Sequence, residues 1–171
     1  TGLPSDSIVS LFQDSRGQIW IGTFDGLIRY TGSGFHIYDQ TTEPGFVAHS
    51  AQDFAEASDG SLWVATVNEG LARYQPNPYK SGTFKTFTIE DGLPSNSIRS
   101  IHFDSANRLW VATNDGLCIA SDTGITRPDN ADIAELQGTT LFTVPGTGEL
   151  GVALTTGGVM TGLSGNPQFL T

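Results

Sequence analysis

The side chains in this chain that could do chemistry recur at two fixed repeat positions. The first position holds Asp6, His49, Asn96 and Gln137. The second position holds the polar turns Phe24-Asp25, Asn68-Glu69, Asn114-Asp115 and Thr155-Thr156. Carboxylates accept hydrogen bonds from hydroxyl groups and attract cations, so these positions are suited to polyhydroxy or cationic ligands. A His beside a carboxylate tends to be charged, which would make such binding pH-dependent.

Paired carboxylates can also act as a general acid and a general base. Asp25 and Glu69 would suit cleavage of a glycosidic bond if they stood about 5 to 9.5 Å apart. No phosphate-binding Gly loop, HExxH or GxSxG motif accompanies them. We therefore predict no catalytic residue, and a carbohydrate-active lyase or hydrolase is the alternative reading.

The turns before the Trp residues could also be interpreted as catalytic or metal-binding motifs. The segment Ser-Asp-Gly-Ser-Leu-Trp at 58–63 is similar to the Asp-box of sialidases. Such turns recur throughout the chain, which favours hairpin turns in which Asp accepts backbone N–H bonds and Gly adopts a positive φ. Neither Asp14-Ser-Arg-Gly17 nor Asn114-Asp-Gly116 has the ligand spacing of a calcium loop. We predict no metal and no cofactor, and we interpret Cys118 as a small buried hydrophobe.

A repeat built around Trp carries all of these positions. Trp20, Trp63 and Trp110 are 43 and 47 residues apart, and Gly151 stands 41 residues further on. Each copy has a turn, a short apolar run around this position, a Gly turn and a second apolar run. A repeat of this length made of short strands is typical of β-propeller blades.

The repeat therefore predicts an all-β fold of four four-stranded antiparallel blades, each of about 43 residues, and no helix. The predicted blades are 2–42, 43–90, 91–134 and 135–171. We expect them to be part of a larger ring, and a closed four-blade ring and half of a dimeric ring are the alternatives.

Charge and hydropathy limit the partners. The net charge of −10 argues against nucleic acid and anionic membranes. No apolar run reaches the ~18 residues of a membrane span, and no signal peptide is recognisable, although Thr1 is not a natural start. We expect a small polar or carbohydrate ligand, further blades or a second copy as partners, and no membrane contact by this segment.

The propeller topology brings the two chemical positions together. The connection into the innermost strand and the turn between the second and third strands lie on the same face of a propeller, around the mouth of its channel. The candidate ligand-binding residues are therefore Asp6, His49, Asn96, Phe24, Asp25, Asn68, Glu69, Asn114 and Asp115. Ordinary solvated turn residues remain the alternative, because loops carry variable polar side chains in any case.

Two stretches of the chain resemble a known family. GLPSDSIVSLFQDSRGQIWIGTFDGLIRY at 2–30 and GLPSNSIRSIHFDSANRLWVATNDGLCIA at 92–120 are similar to the two-component regulator propeller repeat. The second blade departs from it at Ala48-His49-Ser50, and the fourth lacks both the Trp and the Gly-Leu-Pro opening. The resemblance implies a periplasmic or extracytoplasmic sensor propeller, normally of seven blades, followed by a histidine kinase or a diguanylate cyclase. It implies a non-catalytic ligand-binding or scaffolding role, with a pure protein-interaction module as a further alternative.

Overall fold

The computed structural model describes residue 3 and residues 5–39, 42–43, 46, 50–79 and 82–170. Within these residues sixteen strands form four antiparallel sheets of four strands each. In every sheet the strands lie side by side in chain order, which is the arrangement of a propeller blade. The predicted fold class is confirmed.

The strands follow the Trp repeat closely. Blade 1 comprises β1 Ile8–Gln13, β2 Ile19–Thr23, β3 Gly26–Tyr30 and β4 Phe35–Tyr38. Blade 2 comprises β5 Ala51–Glu56, β6 Leu62–Thr66, β7 Leu71–Gln75 and β8 Thr83–Phe87. Blade 3 comprises β9 Ile98–Phe103, β10 Leu109–Thr113, β11 Gly116–Ser121 and β12 Gly124–Thr126. Blade 4 comprises β13 Gly138–Thr143, β14 Leu150–Leu154, β15 Val159–Thr161 and β16 Gln168–Leu170.

Two short helices correct the expectation that the chain has none. A 3-10 turn spans Ile89–Asp91, and Thr88 begins it with a reciprocal pair of capping hydrogen bonds to Asp91. An α-helix, α1, spans Ala131–Ala134, and the Asn130 side chain accepts from its first free backbone N–H groups. Both helices lie in connections between blades, so the blade pattern is unaffected.

The Trp residues are buried between blades. Trp20, Trp63 and Trp110 are 1%, 3% and 2% exposed. Each lies in a hydrophobic cluster that it shares with strands of the following blade, for example Trp20 with Val64 and Tyr74 of blade 2. The other two clusters join blade 2 to blade 3 and blade 3 to blade 4.

Side chains of the innermost strands connect successive blades. The Ser10 hydroxyl donates to Ala51 O at 2.6 Å, which joins blade 1 to blade 2. The Ser100 hydroxyl donates to Asp53 Oδ2 at 2.8 Å and accepts from Leu141 N at 3.1 Å. One serine of blade 3 thereby bonds to the blades on both sides.

The hydrophobic clusters join the blades in chain order. Among the described residues no hydrophobic cluster is shared by blade 1 and blade 4. The face of blade 1 that points away from blade 2 carries the cross-strand apolar row Leu11, Ile21, Ile28 and Ile37, in which Ile21 and Ile28 are 8% and 0% exposed. Leu11 is 64% exposed there. Within the described residues the shared hydrophobic clusters therefore link blade 1 to blade 2, blade 2 to blade 3 and blade 3 to blade 4.

Candidate functional site

The two predicted sets of turns lie at the same end of the blades, and we call them together the mouth turns. Gly70 N donates to Asn96 O at 2.9 Å, and this bond joins the β6–β7 turn to the connection into β9. In blade 4, Thr155 N donates to Gln137 O at 2.9 Å. The Ser97 hydroxyl also donates to Asn68 Oδ1 at 2.9 Å. These bonds hold both sets together across two adjacent blades and within blade 4.

A buried threonine closes each turn that carries a mouth carboxylate. The Thr23 hydroxyl donates to Gly26 O at 2.9 Å and accepts from Asp25 N at 3.3 Å. Thr113 makes the same two bonds, to Gly116 O at 2.8 Å and from Asp115 N at 3.2 Å. The backbone of these tips is thus fixed by hydrogen bonds, while the Asp side chains are exposed.

The corresponding turn of blade 2 is built in the same way around Thr66. Its hydroxyl donates to Gly70 O at 2.7 Å and accepts from Glu69 N at 3.0 Å. Gly70 has φ +89°, and a Cβ there would stand 2.1 Å from Phe87 O. Only glycine allows this close approach of the outer strand.

The predicted asparagines are used within the protein. Asn96 Oδ1 accepts from Ile89 N at 2.9 Å, so this side chain supports the 3-10 turn. Asn68 Oδ1 accepts from Ser97, as above. The structure therefore gives these two side chains structural partners, and their part in ligand binding stays a prediction.

The other predicted residues differ in their placement. Phe24 is 57% exposed at the tip of its turn. Asp6 is exposed before β1. His49 lies outside the described residues.

A cation that the sequence did not suggest also lies at the mouth. Arg99 Nε donates to Asn114 Oδ1 at 2.7 Å. Arg99 is the residue at which the pairing of β9 with β10 shifts, between Ile98 and Ser100. Such a bulge redirects a side chain relative to the regular strand pattern. The sequence does not reveal this register shift and therefore does not place Arg99 at the mouth. For this reason the sequence predicts a mouth that contains mainly carboxylates.

The Asp-containing hairpins lie at the opposite end and have a structural role. Asp14 Oδ1 accepts from Arg16 N and Gln18 N at 3.0 and 2.9 Å, and Oδ2 accepts from Trp20 Nε1 at 3.0 Å. In blade 3, Asp104 Oδ2 accepts from Trp110 Nε1 at 2.9 Å. These carboxylates join the hairpin to the interblade Trp, which confirms the interpretation as turns.

The electrostatics of Asp104 follow from these bonds. Burial by itself would raise the pKa of this carboxyl. The hydrogen bonds from the Arg108 backbone, Trp110, the Arg108 side chain and Ser164 outweigh burial and lower the pKa to about 2. Asp104 is therefore ionised at neutral pH and held in place by five hydrogen bonds.

Cys118 is fully buried in the cluster between blades 2 and 3, as predicted for a small hydrophobe. Burial raises the pKa of its thiol to about 12, so it is a poor nucleophile.

The described segments contain no group of three or more His, Cys, Asp or Glu side chains that could bind a metal ion. In the same segments no helix has the length and apolarity needed to cross a membrane.

The fold is similar to several solved structures. Against the extracellular domain of a putative hybrid two component system from B. thetaiotaomicron, the TM-score is 0.76 and the identity 21%. That match covers 99% of this chain and 25% of the other. Against a catalytically inactive virginiamycin B lyase from Staphylococcus aureus, the TM-score is 0.73 and the identity 15%, covering 99% and 57% of the two chains. At these identities the likeness concerns the fold, and in both cases the four blades match only part of a larger structure.

Sequence comparison gives a more specific result. A stretch of 42 residues is 43% identical to Histidine kinase P4 from Formosa agariphila, covering 25% of this chain and 3% of that protein. The family model of the two component regulator propeller matches residues 2–25 and 92–115, which include β1, β2 and the first mouth turn of blade 1 and their counterparts in blade 3. Residues 2–25 and 92–115 are therefore similar to two-component regulator propeller repeats, and the four blades match part of larger propeller structures.

Proposed function

We propose that the chain is a segment of the sensor propeller of a bacterial signalling protein and that it lies outside the cytoplasm. The observation that carries this proposal is the pair of two-component regulator propeller repeats. The 42-residue similarity to a histidine kinase and the fold likeness to the extracellular domain of a hybrid two component system point the same way. A histidine kinase is the favoured output domain, and a diguanylate cyclase is the alternative.

The mouth turns are the proposed ligand-binding surface. They combine exposed carboxylates on fixed backbone with amide groups and one guanidinium, which suits a small polar or carbohydrate ligand. Within a scaffold of this kind the blade interiors need their Trp and Gly residues, whereas the turn tips are free to vary for recognition.

The proposed mechanism needs no catalysis by this segment. A ligand that binds one arrangement of the propeller better than another shifts the population towards that arrangement. Its differential affinity for the two arrangements sets the largest possible shift in the state read by the output domain.

The location can be tested in the full-length parent protein. Alkaline phosphatase, which is active only outside the cytoplasm, is inserted into the exposed loop at Tyr79, which is 92% exposed. We expect phosphatase activity in intact cells, and a cytoplasmic reporter inserted at the same site should be inactive. The reverse pattern of the two reporters would contradict the extracytoplasmic assignment.

The mouth surface can be tested by thermal shift of the chain against a panel of neutral and acidic oligosaccharides. The variant Asp25→Asn, Glu69→Gln, Asp115→Asn should melt close to the parent because the two aspartates are exposed and the backbone bonds of all three turns remain. It should lose most of the stabilisation that a binding oligosaccharide gives to the parent.

A matched control changes the same charge at the opposite end of the blades. The variant Glu56→Gln, Asp122→Asn, Glu149→Gln should respond to the oligosaccharide as the parent does. If the mouth variant responds equally well, the mouth is not the binding surface.

A further inference from the structure

A guanidinium group lies over the interblade Trp at each of the three blade interfaces. The distances from the guanidinium carbon to the ring centroid are 5.6 Å for Arg29 over Trp20, 5.6 Å for Arg73 over Trp63 and 5.8 Å for Arg108 over Trp110. Such stacking places a positive charge at the edge of an apolar interface. A charge in that environment is costly unless it has a partner.

Two of these three arginines have carboxylate partners. Arg73 Nη2 stands 2.9 Å from Asp59 Oδ2 and 3.2 Å from Asp122 Oδ2. Arg108 Nη2 stands 2.8 Å from Asp104 Oδ2. Each of these ion pairs satisfies donors of the guanidinium and compensates its charge.

Arg29, at the interface of blades 1 and 2, differs. Its Nη1 donates to the Tyr74 hydroxyl at 2.7 Å. Its Nε is buried and has no hydrogen-bond partner. Across the segments that the structure describes, no carboxylate forms an ion pair with it.

The repeat explains why Arg29 has no such partner. The residue four positions before the Trp is Asp59 in blade 2 but Arg16 in blade 1. The residue directly after the third strand is Asp122 in blade 3 but Pro76 in blade 2. Both carboxylates that compensate Arg73 are thus replaced around Arg29, and one of them is replaced by a second cation.

A cavity of 570 Å³ occupies this place. It is lined by Arg16, Gln18, Arg29, Tyr74, Pro76 and Pro78, among others. The Gln18 Oε1 atom is buried without a hydrogen-bond partner and needs a donor. Asp59 also lines the cavity, but its carboxylate is paired with Arg73.

Arg16 has donors to spare at this cavity. Its Nη2 donates to Gly60 O at 3.0 Å, which uses one of the five N–H groups of the guanidinium. The side chain is exposed and forms no ion pair within the described part of the chain. Two arginines with unused donors therefore border one cavity.

We propose that this cavity binds a small hydroxy-carboxylate. Its carboxylate takes the place that Asp59 and Asp122 occupy beside Arg73, and it accepts hydrogen bonds from Arg16 and Arg29. Guanidinium groups match carboxylates in geometry and charge. A ligand hydroxyl donates to Gln18 Oε1. The site lies at the hairpin end of blades 1 and 2, away from the mouth turns, and does not depend on the function proposed above.

The test is an NMR titration of the 171-residue chain with malate, with glycerol as the neutral control and inorganic phosphate as the competing anion. We expect malate to shift the Nε–Hε signals of Arg16 and Arg29 in a saturable manner, and glycerol to leave them unchanged. Arg16→Asp, which restores the blade 2 residue, should supply an internal partner for Arg29 and weaken malate binding at least tenfold. Arg29→Gln should have a similar effect on the affinity.

A matched control is Arg108→Gln, which removes a Trp-stacked arginine from the interface of blades 3 and 4 and should leave malate binding unchanged. The melting temperature of Arg16→Asp should equal or exceed that of the parent, so its loss of binding does not reflect unfolding. Saturable shifts at Arg108 in place of Arg16 and Arg29 would overturn the proposal. Unchanged affinity in Arg16→Asp, or phosphate binding as tight as malate binding, would also overturn it.

Discussion

Replacing Asp104 by Asn should destabilise the chain by about 3 kcal/mol at neutral pH. Asp104 Oδ2 accepts from Trp110 Nε1 and the Ser164 hydroxyl at 2.9 Å, and from Arg108 Nε at 2.8 Å. In the Asp104→Asn variant an amide N–H₂ would face these three donors. The indole N–H would then be buried without an acceptor, which costs about 1 to 3 kcal/mol. The lost charge-assisted bonds to Arg108 account for the rest of the estimate.

The effect should depend on pH in a defined direction. The pKa of Asp104 is lowered from 3.8 to about 2 in the folded protein. Its ionised form therefore stabilises the fold fully above the unfolded value, and this stabilisation is lost as the pH falls through about 4 towards 2. A shift of this size corresponds to about 2 kcal/mol. The difference between parent and variant should shrink by about that amount at acid pH.

The measurement is urea unfolding followed by circular dichroism at several pH values and at one protein concentration. Asp59→Asn is the control, because the Asp59 side chain is 49% exposed and its ion pair should contribute about 1 kcal/mol or less. A loss below about 1 kcal/mol in Asp104→Asn, or a difference that does not change with pH, would refute this account of the turn.

Two further predictions concern packing. Trp63→Ala should cost about 3 to 5 kcal/mol of unfolding free energy, since Trp63 is 3% exposed, whereas Tyr79→Ala, at a residue 92% exposed, should leave the urea midpoint unchanged. The chain alone should associate through the end faces of blades 1 and 4, where Leu11 is exposed, in sedimentation experiments, because repeat stacks need covered ends. Leu11→Asp should reduce this association, and a stable monomeric parent would contradict the prediction.

The repeat of turns and apolar runs, with Trp at its centre in three copies and Gly151 in the fourth, was sufficient to predict all four sheets. The second and third strands of each blade lie in the two short apolar runs on either side of its Gly turn. The short helices escaped prediction because four polar-flanked residues at Ala131–Ala134 carry no helical periodicity. Their signals were the capping residues, Thr88 with Asp91 for the 3-10 turn and Asn130 for α1.

The fourth blade shows how packing can replace a repeat residue. Gly151 stands where the Trp is expected, and a Cβ on it would approach the Phe142 ring to 2.7 Å. Phe142 lies directly opposite Gly151 in the register, so its ring occupies the space above the glycine. This compensation involves the neighbouring strand and could not be read from the repeat position alone.

The placement of the mouth turns followed from strand order, but the partners of individual side chains did not. The bond from Arg99 to Asn114 depends on a local register shift, and the bond from Ile89 to Asn96 depends on a helical turn. The cavity between blades 1 and 2 was also missed. Its signal was present in the repeat, where Arg16 replaces the acidic residue Asp59.

The chain of contacts between neighbouring blades has a consequence for local stability. Blades 2 and 3 each share hydrophobic clusters with two neighbours, and blades 1 and 4 each share a cluster with one. In such a nearest-neighbour system an inner blade can open only by losing two interfaces, whereas an end blade loses one. Amide hydrogen exchange should therefore be slowest around β6 and β10 and fastest in the outer strands of the end blades. When further blades cover the ends, this gradient should flatten, and the completed ring would unfold more nearly as one cooperative unit.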